Sequence, residues 1–173
     1  MAEEQVVLVD EQDRERGLMD KTAAHQQGLL HRAISVVIYN SRGAMLLQQR
    51  ALTKYHWAGI WSNTCCSHPR AGESYEAAAA RRLQEELGFS TPLTKEFSFI
   101  YKAHDVVSGL TEHEYDWVFT GQYDEVFEPN PLEIEAVKWL SKADLLQDME
   151  QHSEQYSFWF PIILRELQAR GKF

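Results

Sequence analysis

Residues 61–89 read WSNTCCSHPRAGESYEAAAARRLQEELGF. The second half of this stretch predicts a helix. Ser74 suits the N-cap, where a hydroxyl accepts from a backbone N–H of the first turn. Tyr75–Leu87 is rich in Ala, Leu, Glu and Arg, all strong helix formers. Gly88 ends the helix, because glycine enters the left-handed region without strain. Ala79, Ala80, Leu83 and Leu87 recur at three- and four-residue spacing and form the expected core face. Arg81, Arg82, Glu85 and Glu86 fall off that face, with Arg82 and Glu86 as i, i+4 neighbours. For a helix of no special role, such a face is solvated and carries exchanging ion pairs. The first half of the stretch is different in kind: Cys66 stands two residues from His68, so a thiol and a metal-type ligand lead into the helix.

Working outward, Gln5–Val9 predicts a strand and Asp10–Gly17 a polar turn region. Ala33–Tyr39, the turn Asn40–Gly43 and Ala44–Gln49 have the pattern of a hairpin. Phe97–Lys102 and Thr111–Phe119 read as strands around the turn Asp105–Gly109, and Glu135–Leu140 as another. Ser141 opens a helix that runs to about Gln151. Ser157–Ala169 carries a third helical pattern, with Pro161 in its first turn. Irregular alternation of strands and helices, with hairpins, predicts an α+β class (an α/β sandwich) with a mixed sheet flanked by helices. No repeat, low-complexity tract or linker interrupts it, so one domain over residues 1–173 is expected.

A chain of 173 residues with 44% hydrophobic and 25% charged residues matches a globular composition with one sizeable core. The formal net charge of −9 disfavours nucleic acid or an anionic membrane as main partner, while leaving room for a local basic pocket. No apolar run approaches the ~18 residues of a membrane span. MAEEQVV lacks the pattern of a signal peptide, and GKF is neither a peroxisomal address nor a prenylation box. Cys65 and Cys66, the only cysteines, are adjacent and poorly placed for a mutual disulfide. A cytoplasmic, reducing location is therefore expected. A cysteine of no special role is a small buried hydrophobe.

Residues 67–89 resemble the loop–helix signature of the Nudix proteins: Gly, five residues, Glu, seven residues, then Arg-Glu-apolar-any-Glu-Glu-any-Gly-apolar. Here Ser67 takes the place of the Gly, followed by Glu73, Arg81, then Arg82 in place of the first helical Glu, Leu83, Glu85, Glu86, Gly88 and Phe89. The spacing is kept and two identities change. In Nudix hydrolases the clustered carboxylates hold Mg²⁺ on a diphosphate. Arg at one of those positions removes a metal ligand and adds a phosphate partner. The resemblance thus implies that diphosphate binding is kept and metal-assisted hydrolysis weakened.

The surrounding residues resemble one branch of that family, the type 1 isopentenyl diphosphate isomerases, from Val6 to about Phe160. The motifs are Ser62-Asn-Thr-Cys-Cys-Ser-His-Pro69, Glu112-His-Glu114, the pair His25 and His31, Arg50-Ala-Leu-Thr-Lys54, and Ser157-Phe-Trp-Phe160. The loop between His25 and His31 is one residue shorter than in some relatives, and the stretch from Tyr101 to Glu112 one longer.

The resemblance implies reversible conversion of isopentenyl diphosphate to dimethylallyl diphosphate, by protonation and deprotonation through a tertiary carbocation. Cys66 would serve one face of the substrate, its thiol tuned from an ordinary pKa of about 8.5 toward neutrality. Cys65 points the other way along an extended segment and is expected to be structural. Glu114 would serve the opposite face with the Tyr101 hydroxyl as its relay. Trp159 would face the cation, a contact worth about 2 kcal/mol when desolvated, with Trp57 and Trp61 walling the pocket. Lys21, Arg50, Lys54 and Arg82 match the basic set that grips the diphosphate. Glu86 would hold Mg²⁺ together with substrate oxygens. His25, His31, His68, Glu112 and Glu114 form a mixed nitrogen and oxygen set suited to Mn²⁺ or Zn²⁺.

Alternation along Thr111–Phe119 puts Glu112, Glu114 and Asp116 on one face. For an ordinary amphipathic strand that face would be wet, but the candidate imidazoles argue for a ligand role. His56, His104, His113 and His152 match no motif and are expected to play no part. The implied partner is a small isoprenyl diphosphate, with no nucleic acid and no membrane, acting on a monomer or weak dimer. The competing reading is a Nudix hydrolase of a nucleoside or other diphosphate, against which Arg82 and the Cys66/His68 pair argue.

Overall fold

The computed structural model describes residues 4–173. The elements in chain order are β1 (Gln5–Val9), β2 (Glu15–Asp20), α1 (Lys21–Gln27), β3 (His31–Tyr39), β4 (Met45–Arg50), β5 (Trp61–Ser62), β6 (Cys65–Ser67), α2 (Tyr75–Leu87), β7 (Leu93–His104), β8 (Thr111–Gln122), β9 (Ile134–Leu140), α3 (Lys142–Gln151) and α4 (Phe160–Ala169), with a 3₁₀ turn at Ser153–Gln155. No helix among the described residues is long and apolar enough to cross a membrane.

Strand β3 organises the sheet. Its sequence, HRAISVVIY, is buried at every position but Arg32 and Tyr39, which are half-buried, as expected of a strand covered on both faces. One edge pairs in parallel with β8 along its whole length, from His31 opposite Glu114 to Tyr39 opposite Gln122. The other edge is shared in turn by β1 at Leu8/His31, by β6 at Ile34/Ser67 to Val36/Cys65, and by β4 at Tyr39/Met45. β4 continues to β5 and β9, β1 to β2, and β8 to β7. The mixed sheet and flanking helices bear out the expected class.

Alternate β3 residues feed two cores. Ile34, Val36 and Ile38 pack with Leu46, Phe119 and the α2 residues Ala78, Ala79, Leu83 and Leu87. Val37 packs on the other face with Met45, Val118 and the residues Leu145, Phe160, Ile163 and Leu167 of α3 and α4.

Helix α2 has the expected bounds. Ser74 Oγ accepts from Ala77 N at 3.1 Å, and Gly88 closes the helix at φ 79°. A Cβ at Gly88 would lie 2.7 Å from the Glu128 carbonyl oxygen, so this position excludes side chains for two independent reasons. Four expectations need correction. The core stripe of α2 is set by Tyr75, Ala78, Ala79, Leu83, Glu86 and Leu87, and Ala80 is exposed. The region Asp10–Gly17 is a tight turn only to Arg14, where the Asp10 carboxylate accepts two backbone N–H groups at 3.0 Å; β2 and α1 follow where no regular structure was expected. The β3–β4 hairpin closes as read, but its ladder is the single pair Tyr39/Met45, because β6 occupies the rest of that edge. The last helix starts at Phe160, since Ser157 N donates to Trp61 O at 2.9 Å and ties that segment to β5 before the helix begins.

Candidate active site

The β3 register brings the chemistry together. β8 places Glu114 beside His31, and β6 places Cys66 beside Ser35. Helix α1, capped by Asp20 Oδ1 on Ala23 N at 2.8 Å and ended by Gly28, buries His25 against β8. His68 follows β6. The ligand atoms offered by His25, His31, His68, Glu112 and Glu114 all lie within 4.8 Å of one another. The acidic face of β8 is therefore turned inward: Glu112, Glu114 and Asp116 are buried.

The donor set suits a divalent cation. His31 Nδ1 donates to Leu29 O at 2.8 Å, and Nε2, with no hydrogen-bond partner of its own, lies 3.6 Å from Glu114 Oε1. His25 Nδ1 donates to Lys21 O at 2.6 Å, so its Nε2 faces Glu112 Oε2 at 3.1 Å. A neutral ring there sets a lone pair against a carboxylate. A divalent cation makes the contact favourable, and so does a proton on Nε2, since the cost of burial is outweighed by Glu112, which raises the His25 pKa. A carbonyl fixing the far ring nitrogen is the usual support of a histidine ligand. His68 Nε2 approaches Glu114 Oε1 at 2.8 Å. Burial, with His31 close by, holds His68 well below the ordinary histidine pKa. Burial works against the charge on Glu114, but His31 and the Tyr101 hydroxyl outweigh it and hold the carboxyl at about 2.

The acid–base candidates meet in the same cleft. Tyr101 is buried and its hydroxyl donates to Glu114 Oε2 at 2.7 Å. Burial and the neighbouring carboxylate push its pKa well up, so it stays protonated. Cys66 Sγ donates to Asn63 Oδ1 at 3.1 Å and accepts from Trp159 Nε1 at 3.2 Å, with Ser35 Oγ 3.7 Å away. Burial and the nearby Asp116 push the Cys66 thiol up to about 12, opposite to the expected tuning toward neutrality. The physical reason is enclosure beside the Asp116 carboxylate. Cys65 is fully buried in the α2 core, as expected. Trp159 caps α4, is 3% exposed and lies 5.9 Å from the Tyr101 ring. Trp57 and Trp61 do not line this cleft. They line a neighbouring groove, and Trp57 backs Trp159 edge-on at 6.2 Å.

Lys21, Arg50, Lys54, Arg82 and Glu86 line the cleft with Cys66, Tyr101, Glu114 and Trp159. Arg82 pairs with Glu86 at 2.6 Å, Glu85 at 2.7 Å and Glu133 at 3.4 Å, which keeps it firmly charged. Glu86 is 4% exposed and accepts from Gln48 Nε2 at 3.0 Å, so it belongs to the packed face and not to the solvated one. Glu133, unread in the sequence, pairs with both Lys54 and Arg82. Arg81 pairs with both oxygens of Glu73 at 2.7 and 2.8 Å and reaches the His68 carbonyl at 3.4 Å. It thereby fastens the His68 loop to α2. His56, expected to play no part, contacts Glu112 Oε1 at 2.5 Å. No periodicity could flag it, because it stands in an irregular loop.

A mixed sheet carrying this loop–helix element beside a buried His/Glu cluster defines an enzyme architecture of the Nudix kind. The family described as NUDIX domain matches residues 29–160. Isopentenyl-diphosphate Delta-isomerase 2 of Aromatoleum aromaticum is 49% identical over 162 residues, covering 94% of this chain and 85% of that one. Isopentenyl-diphosphate Delta-isomerase of Serratia proteamaculans is 46% identical over 167 residues, covering 96% and 93%. Among solved structures, a Deinococcus radiodurans protein superposes with TM-score 0.78 at 21% identity over 94% of this chain and 98% of that one. The MutT protein of Methanosarcina mazei Go1 gives TM-score 0.67 at 18% identity over 83% and 96%; these two likenesses speak to the fold. The chain belongs to the Nudix family and, within it, to the type 1 isopentenyl-diphosphate Delta-isomerases.

Proposed function

We propose that this chain, acting as a single domain over residues 1–173, interconverts isopentenyl and dimethylallyl diphosphate for isoprenoid precursor synthesis. One observation carries the reading beyond family membership: a thiol and a carboxylate line one cleft whose rim bears four basic side chains. The reaction adds a proton at the terminal carbon of the double bond and removes one from C2, through a tertiary cation.

Lys21, Arg50, Lys54 and Arg82 grip the diphosphate. Cys66 and Glu114 act on opposite faces of the five-carbon unit. In the resting state Cys66 bears a proton and Glu114 is ionised, with Tyr101 able to relay. Reversal of the reaction exchanges the two roles. Trp159 shields the cation and offers it a ring face.

His25, His31, His68, Glu112 and Glu114 are the residues to hold a divalent ion, Mn²⁺ or Zn²⁺, and Glu86 a Mg²⁺ that arrives with substrate oxygens. When bound, these ions fix the orientation and basicity of Glu114 and neutralise diphosphate charge. The two free thiols support a cytoplasmic setting, and the acidic surface supports a protein without nucleic-acid or membrane partners, as a monomer or weak dimer.

Hydrolysis is the competing reading, and Arg82 at a carboxylate position of the signature argues against it. The test is incubation with isopentenyl diphosphate, Mg²⁺ and Mn²⁺ in D₂O, followed by NMR. Deuterated dimethylallyl diphosphate is expected. Release of phosphate or isopentenol in its place would overturn the reading.

A further inference from the structure

We propose that His56 is a positioning residue of the metal centre, holding Glu112 in the orientation in which it ligates. The inference rests on the five-residue metal reading above and adds a sixth residue that does not itself ligate.

The geometry is specific. Glu112 is 4% exposed, and its two oxygens face different imidazoles. Oε2 meets His25 Nε2 at 3.1 Å, and Oε1 meets His56 Nε2 at 2.5 Å. His56 stands outside the group of five whose ligand atoms converge, although its ring is 5.3 Å from that of His25. It is 6% exposed, and its Nδ1 has no hydrogen-bond partner among the described residues. A buried N–H without an acceptor is costly, whereas a bare ring nitrogen is tolerated. The proton therefore sits on Nε2 and is donated to Glu112. A carboxylate held at one oxygen cannot swing freely between modes of ligation, which is how an outer hydrogen bond sharpens a metal site.

The loop that carries His56 is itself fastened. Arg50 N donates to Ile60 O at 2.9 Å, Gly59 N to Arg50 O at 3.0 Å, and the Arg50 guanidinium reaches the His56 carbonyl at 3.4 Å. This same loop bears Lys54 and follows directly on Arg50 at the end of β4, and both line the diphosphate end of the cleft. His56 thus ties the diphosphate loop to the metal centre through a single hydrogen bond. Metal and diphosphate affinities should then be coupled, each raising the other by the same factor.

The test is Mn²⁺ titration, read by electron paramagnetic resonance, of wild type, His56→Ala, His56→Gln, Glu112→Ala and the double variant His56→Ala/Glu112→Ala. His56→Ala should weaken Mn²⁺ binding by roughly 10–100-fold. His56→Gln, which keeps an N–H donor, should recover most of that loss. In the Glu112→Ala background, removing His56 should change the affinity no further. Wild-type affinity in His56→Ala overturns the proposal. So does an undiminished loss in the Glu112→Ala background, which would mean that His56 acts through loop packing. Absence of Mn²⁺ uptake by the wild type would remove the metal reading itself and the proposal with it, a result distinct from the other two.

Discussion

The indole N–H of Trp159 donates to the Cys66 sulfur at 3.2 Å, so the side chain that shields the cleft also orients the thiol. Its two roles separate by substitution. Trp159→Phe keeps a ring face and loses the N–H. A hydrogen bond of about 1 kcal/mol predicts a kcat about fivefold lower. Trp159→Leu also loses the ring face, and about 2 kcal/mol of cation contact predicts a further ~30-fold loss. Steady-state kinetics on folded variants checks the order; equal rates for Phe and Leu would remove the ring from the mechanism.

The adjacent cysteines should behave oppositely. Cys66 faces the cleft and Cys65 is fully buried against α2. Cys66→Ala should lower turnover by about 10²–10⁴-fold, the range for loss of one general acid–base group, with an unchanged melting temperature. Cys65→Ala should cost about 1 kcal/mol of stability, as a small core truncation does, and leave kcat near wild type. Deuterium exchange by NMR and thermal melts read the two effects separately.

Arg82 stands where the hydrolase signature has a carboxylate, and it faces Glu85, Glu86 and Glu133. Arg82→Gln should raise KM for the diphosphate by roughly 10–100-fold, since a charge-assisted contact of about 1.5–3 kcal/mol is lost. Phosphate release should stay at background. Appreciable hydrolysis by this variant would mean that the site had remained a hydrolase held in check by one side chain.

Glu73 supplies a pH prediction far from the proton-transfer groups. The Arg81 guanidinium, against a smaller opposing effect of burial, holds the Glu73 carboxyl below its ordinary range. A depressed folded pKa contributes stability that is fully present above the unfolded value, 4.5, and is lost as pH falls through the folded one. Wild type should therefore lose stability below about pH 4.5. Glu73→Gln should melt lower at neutral pH and show a shallower acid slope. Because Arg81 also reaches the His68 carbonyl, Glu73→Gln should weaken Mn²⁺ binding as well. Parallel pH–melting curves for the two proteins would argue against the ion pair as a stabilising contact.

Periodicity and capping chemistry made much of the fold legible. Helix α2 runs between the two residues that a hydroxyl cap and a left-handed glycine specify, and β7, β8 and β9 contain the segments read as strands, although β7 extends to Leu93–His104 and β8 to Gln122. Short elements were not legible. β2 and α1 have too few residues for a period to emerge, and α1 forms because Asp20 caps it and His25 docks on β8. Resemblance to the isomerase motifs, and not periodicity, picked out the five side chains that converge, Cys66 and the basic set. His56 and Glu133 escaped because they lie in irregular segments and matter only through partners 56 and 79 residues distant in the chain. The protonation state of Cys66 escaped for another reason: it depends on what encloses the sulfur, and Trp159 and Ser35 reach it from elements remote in sequence.

Metal removal tests the centre without reference to turnover. His31 and His25 each spend Nδ1 on a backbone carbonyl, which turns both Nε2 atoms toward carboxylates in the interior. Taking the metal away should therefore destabilise the fold. An ion at about 100 times its Kd stabilises by about 2.7 kcal/mol, which for a domain of this size corresponds to a melting shift of roughly 5–10 °C. Dialysis against a chelator should lower the melting temperature, and Mn²⁺ should restore it. His31→Ala should lose that rise while keeping the acid response through Glu73, whose partner is Arg81 and not His31. A chelated protein that melts at the same temperature as the loaded one would show that the five side chains close on themselves without an ion.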